Sequence, residues 1–131
     1  MTEVRLLDIT KRYGDVIAAE HVNIEVRDKE YVTFLGPSGC GKTTILKIIA
    51  GILKQDEGDV YIGNRLVNDI PTEDRGVGYV FQNIVLFPHM NVWDNVTYGP
   101  RVRAWESSKT GKLAHEMLEM LRLNVRSNAY P

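Results

Sequence analysis

The chain has 131 residues, 44% of them hydrophobic, enough for one domain with a real core. Its 16 Lys and Arg nearly balance 17 Asp and Glu, for a formal net charge of -1, which excludes the basic field of a nucleic-acid binder. No apolar run approaches the roughly 18 residues of a membrane span, no signal-peptide layout opens the chain, and the single cysteine, Cys40, excludes an internal disulfide. A soluble chain of a reducing cytoplasm is expected.

The first third reads as β structure. Val4 to Ile9 (VRLLDI) and Val22 to Val26 (VNIEV) are short β-branched runs on either side of the turn-like Tyr13-Gly14-Asp15. Tyr31 to Leu35 (YVTFL) is an almost continuous apolar run, the pattern of a strand buried on both faces, and Gly36 ends it. From Lys42, KTTILKIIAGILK places Ile45, Leu46, Ile48, Ile49, Ile52 and Leu53 at helical spacing, so wide an apolar face that the helix should be largely buried against a sheet. Asp56-Glu57-Gly58 turns the chain into a strand over Asp59 to Ile62, and Val77 to Phe81 (VGYVF) reads as another. Residues 82–99 look less regular. After Ser107-Ser108 a last helix carries Leu113, Met117, Met120 and Leu121 on one stripe, weakened in its first turn by Gly111 at a cost of about 1 kcal/mol relative to Ala.

The chemistry concentrates at residues 36–44, GPSGCGKTT. Gly36-x-x-x-x-Gly41-Lys42-Thr43 is a P-loop pattern set between a buried-looking strand and a helix. Gly36, Gly39 and Gly41 free the backbone so that successive N–H groups around Ser38, Gly39, Cys40 and Thr44 converge on phosphate oxygens. The helix adds its positive N-terminal end. Lys42 can reach the outer phosphates as a mobile charge, and the Thr43 hydroxyl can ligate Mg²⁺. Cys40 is read as a small space-filler within the loop, with a second reading as a thiol that bound nucleotide would shield from alkylation.

Two further features choose among P-loop proteins: Tyr13 upstream, in KRYG, and Gln82 downstream, in GYVFQN. Together with GPSGCGKTT they resemble the ATP-binding subunit of an ATP-binding-cassette (ABC) transporter. The stretch PTEDRGVGYVFQNIVLFPHMNVWDNVTYG is similar to the carbohydrate-importer, maltose-type branch. The resemblance runs from about Val4 to Pro131. It implies an α/β fold, a P-loop NTPase-type sheet with helices and an N-terminal antiparallel β portion, truncated. A nucleotide-binding core would occupy 1–85 and the start of a helical subdomain 86–131. It also implies ATP and Mg²⁺ as cofactors, Tyr13 stacked on the base, and Gln82 touching both Mg²⁺ and the attacking water, an amide being able to accept and donate there. Leu86-Phe87-Pro88-His89-Met90 would face membrane-spanning subunits, with Leu86 and Phe87 partly filling the core, and a second ATP-binding subunit would complete a dimer. The chain would then lie at the inner face of the cell membrane. Lys29 departs from the family, which commonly has Gly there.

Hydrolysis needs an acidic residue for Mg²⁺ and a positioned base, commonly carried at the end of an apolar strand. No run of four apolar residues here ends in Asp, and Asp56-Glu57 follows Lys54-Gln55 in a turn. The LSGGQ-type signature of the family is absent as well. The expectation is therefore the N-terminal half of a cassette that binds Mg-ATP without cutting it, and that self-associates through the unpaired edge of Tyr31 to Leu35. Residue pattern alone leaves two other classes open. One is a small P-loop kinase or GTPase, although no Asp beyond the P-loop has Gly three residues on and the arginines are scattered. The other is a truncated cassette acting only as a binding module.

Overall fold

The computed structural model describes residues 2–83 and 85–131, so Ile84, within the importer-like stretch, lies outside the described residues. Two compact units divide the chain, Met1–Tyr79 and Val80–Pro131.

The first unit is built on a four-stranded antiparallel sheet. Strand β1, Val4–Tyr13, and strand β2, Val16–Val26, form a hairpin closed by the pair Tyr13 and Val16, with Gly14 supplying the left-handed φ of 57° that the two-residue turn requires. Both strands run several residues beyond the β-branched runs of the sequence. Helix α1, Lys42–Ala50, follows the P-loop, and β3, Glu57–Ile62, returns to pair with β1. A two-residue strand, β4 (Arg65–Leu66), completes the order β2-β1-β3-β4. Thus β1 is internal, and the connection from β2 to β3 carries both the loop and α1.

Leu6, Ile9, Ala19, Val60 and Val67 from the sheet side meet Ile45 and Ile48 of α1 in one core. Each fully buried Leu or Ile contributes about 1.5–3 kcal/mol relative to exposure. Helix α1 packs by a narrower face than its composition predicts, since Leu46 is 44% exposed. Its C-terminal cap is Gly51, at a left-handed φ of 78°.

Irregularities of β1, β2 and β3 meet at one level of the sheet. Asp8 and His21 both have left-handed φ, and a Cβ on Gly58 would meet the Asp8 carbonyl oxygen at 2.4 Å. Local bonds offset that irregularity: the Asp8 N–H donates to Asn23 Oδ1 at 2.9 Å, the His21 N–H to Thr10 Oγ1 at 3.2 Å, and His21 Nδ1 lies 2.7 Å from Asp8 Oδ1.

Among the described residues, two expected strands are not part of the sheet: Tyr31 to Leu35 is largely exposed apart from Phe34, which packs against the core, and Val77 to Phe81 is assigned to no strand. Apolar β-branched sequence favours extension, but a strand is completed only by a neighbour on the ladder.

In the second unit the irregular-looking stretch contains helix α2, Val92–Val102. Asn91 caps it, accepting the Asp94 N–H at 2.8 Å, and the Val92 and Trp93 amides donate to the Ala129 and Ser127 carbonyls. Helix α3, Ser107–Met120, packs beside it, with the Trp93 and His115 rings 4.7 Å apart. Its buried line is Thr110, Ala114 and Leu118; Leu113, Met117, Met120 and Leu121 form an exposed apolar stripe.

Candidate nucleotide-phosphate site

The loop from Gly36 to Gly41 is held between the hairpin and α1. Gly39 and Gly41 have φ of 82° and 89°, which L side chains adopt only at a cost of about 1–2 kcal/mol. Gly41 has a second constraint, because a Cβ there would stand 2.2 Å from the Ala18 carbonyl oxygen of β2. That contact places the loop beside the hairpin end: Arg12 pairs with Ile17 and Tyr13 with Val16, so Tyr13 lies within a few ladder positions of Ala18. Tyr13 is 51% exposed, with Lys11 Nζ 5.7 Å from its ring centroid.

Lys42 turns back over the loop. Its ammonium donates to the Gly36 carbonyl at 2.8 Å and the Pro37 carbonyl at 2.6 Å, with Cys40 Sγ at 3.3 Å. Cys40 occupies the space a side chain on Gly36 would need, since a Cβ there would meet its sulfur at 2.7 Å. The space-filling reading of Cys40 therefore has a physical basis. Helix α1 has no acidic residue in its own first turn, which leaves the positive end of the helix beside that ammonium. Thr43 is exposed and lines a cavity of about 590 Å³ with Lys42, Tyr31, Val32 and Phe34. A second cavity, of about 410 Å³, is lined by Cys40, Gly41 and Lys42 together with Val22, Ile24 and Leu35. An ammonium, free-turning glycines, a helix N-terminus and a threonine hydroxyl are a donor set that fits phosphate and a divalent cation bound to it. Among the described residues Glu30 is the one carboxylate lining these cavities, and its Oε2 accepts the Arg27 N–H at 2.8 Å.

The structure thus brings Ser38, Gly39, Cys40, Gly41, Lys42, Thr43 and Thr44 together and sets the Tyr13 hairpin beside them. Gln82 belongs to the second unit and is exposed there. Nearby in sequence, Leu86 is 51% and Phe87 39% exposed, so they do not fill a core. Phe87 instead meets the Tyr98 ring at 4.5 Å. Asn95 fixes that turn: its Oδ1 accepts the Phe87 N–H at 2.9 Å, and its Nδ2 donates toward the Phe87, Met90 and Asn91 carbonyls. Sequence reading passed over Asn95; the signal available was Asn91 as a helix cap with a second Asn one turn later.

A profile of the ABC transporter family matches residues 19–130. The chain belongs to that family. Among curated relatives, this ABC transporter chain is 42% identical over 123 residues to the maltose/maltodextrin import ATP-binding protein MalK of Photobacterium profundum, covering 94% of the chain and 33% of that protein. It is 41% identical over 124 residues to the MalK of Vibrio cholerae, with 95% and 33% covered. The chain therefore spans about a third of the length of these relatives. A dimeric, post-hydrolysis ATP-binding cassette bound to ADP and Pi superposes with a TM-score of 0.83 at 34% identity, covering 98% of this chain and 61% of that one. A dimeric bacterial ABC transporter cassette gives 0.84 with the same identity and coverage. The α/β cassette fold expected from the P-loop and its flanks is the fold of this ABC transporter chain.

Proposed function

We propose that this chain is the phosphate-gripping part of the ATP-binding subunit of a sugar importer, and that alone it holds Mg-ATP without hydrolysing it. The observation that carries the reading is the Lys42 ammonium seated over the Gly36–Gly41 loop at an α1 N-terminus free of acidic side chains. The maltose-type relatives supply the sugar assignment.

In this reading the loop amides and Lys42 bind the phosphates, Tyr13 offers a ring face to the base, and Thr43 holds Mg²⁺ on its phosphate side. Bound Mg²⁺ would neutralise phosphate charge; such an ion takes few protein ligands. Gln82, the glutamine of GYVFQN, would serve the metal and the attacking water, its amide able both to accept and to donate. To bind phosphate, Lys42 exchanges the Gly36 and Pro37 carbonyls for phosphate oxygens, a charge-assisted and stronger pairing. Holding without cutting follows from the lining, which supplies cations, hydroxyls and amides while Glu30 is already engaged with Arg27.

The partners are membrane-spanning subunits, met through the exposed Leu86–Met90 turn that Asn95 braces, and a second ATP-binding subunit. Among the described residues no helix is long and apolar enough to cross a membrane, so attachment to its inner face would run through those subunits.

Calorimetric titration with Mg-ATP tests the reading, with Lys42→Ala as control. Saturable heat that returns to baseline and disappears in the variant is expected. Sustained heat lost in the variant would mean turnover and overturn the holding role; no heat from the unmodified chain would overturn the nucleotide assignment.

A further inference from the structure

Arg75 is only 8% exposed, and every acceptor it meets is a backbone carbonyl. Its Nη1 donates to the carbonyls of Ile48 at 2.9 Å and Ile49 at 3.2 Å, in the last turn of α1. Its Nε donates to the Ile70 carbonyl at 2.8 Å, and Nη2 reaches the Asn68 carbonyl at 3.4 Å. Burial pulls the guanidinium below its usual pKa, so the cation is retained there against a cost in hydration. The last carbonyls of a helix carry its negative end and have spare acceptor capacity, and although the Ile48 carbonyl also accepts the Gly51 N–H at 3.1 Å, its second lone pair is a fitting acceptor for a buried cation.

The grip extends to the sheet. Asn68 Oδ1 accepts the Val60 N–H of β3 at 2.9 Å, and its Nδ2 donates to Asp59 Oδ1 at 2.8 Å. Helix α1 is therefore held at both ends: its C-terminus by Arg75, through Asn68, to β3, and its N-terminus by Gly41 lying against Ala18 of β2. Nine residues make a rod of roughly 13.5 Å, too short to bend, so freedom at one end is felt at the other. Gly51 belongs to the same device. A Cβ on it would stand 2.5 Å from Arg75 Nε, so the helix ends on a residue that leaves room for the guanidinium.

We infer that Arg75 is a positioning residue for phosphate binding: by clamping the C-terminal end of α1 it fixes the loop and Lys42 at the other end. Lysine cannot substitute, because one ammonium cannot meet acceptors spread around a planar fork. The inference rests on the nucleotide reading of the loop, and it concerns the phosphates and not the base.

The test measures dissociation constants for Mg-ATP and for inorganic pyrophosphate on the unmodified chain, Arg75→Lys, Gly51→Asn and Lys42→Ala. Far-UV circular dichroism of each sample reports whether it is folded. In folded Arg75→Lys both ligands are expected to weaken by about tenfold, the scale of one weakened charge-assisted hydrogen bond to phosphate, with their ratio unchanged. Gly51→Asn, which tolerates the left-handed φ of 78° and keeps the cation but crowds it, should show the same parallel loss and carries the test if Arg75→Lys does not fold. Unchanged affinities in a folded variant overturn the positioning role alone. No binding by the unmodified chain overturns the nucleotide reading and this inference with it, whereas binding lost only in Lys42→Ala leaves that reading standing and removes Arg75 from it.

Discussion

His21 and Asp8 face each other across β1 and β2 at 2.7 Å, and the hydrogen bond, then the charge of Asp8, hold the imidazole pKa above its usual value. Glu20 and Glu57 add smaller pulls of the same sign. Below about pH 6.5 the ring is charged in folded and unfolded chains alike, so the pairing contributes fully; the contribution is lost as pH rises through the raised folded value. The urea midpoint should therefore decline as pH climbs above about 6.5, and His21→Gln should flatten that decline; an equal slope in both chains would show the pairing to be inert. Asp56 works in the opposite direction. Lys11 and the Arg12 N–H lower its pKa, so its contribution is present above about pH 3.9 and fades in acid. Residues of this kind differ in how visible they are in sequence. The phosphate loop is legible because its backbone geometry is written in a few consecutive residues. Arg75 is not, since its partners are carbonyl oxygens of distant residues, and carbonyls leave no mark on side-chain identity.

At the scale of elements, α1 and α3 were legible from periodicity, and the hairpin from its turn. The face of α3 was not, because burial there follows how closely α2 approaches and not which side chains are most apolar. Tyr31 to Leu35 and Val77 to Phe81 have strand composition yet, among the described residues, belong to no strand of the sheet; composition is local and a ladder is not. For α1 the core side is now specific. Ile48, fully buried, should cost about 2–5 kcal/mol on truncation to Ala, and Leu46, 44% exposed, much less. Urea denaturation of the two variants measures the difference, and equal losses would place α1 wrongly on the sheet.

For the whole molecule, family and fold were readable because the loop, Tyr13 and Gln82 stand in a fixed order along the chain, while the division at Tyr79 and Val80 had no composition break to announce it. Tyr31 (92% exposed) and Leu35 (88%) set large apolar side chains in solvent on a segment that, among the described residues, belongs to no strand. Light scattering at micromolar concentration should therefore find dimers or larger species; a strictly monomeric chain would mean that this segment is protected.

The internal position of β1 reaches into the order of folding. The β1–β2 hairpin closes over a two-residue turn, whereas β3 must return across the loop and α1 before Thr10 meets Glu57 and Lys11 and Arg12 find Asp56 and Glu57. Long-range pairing of that kind is completed late, after the entropy of closing the intervening chain has been met. Where a ligand of the loop binds the folded chain alone, it is expected to lengthen the lifetime of that folded chain, and unfolding rates measured with and without Mg-ATP would show it; equal rates would mean the loop does not hold the ligand.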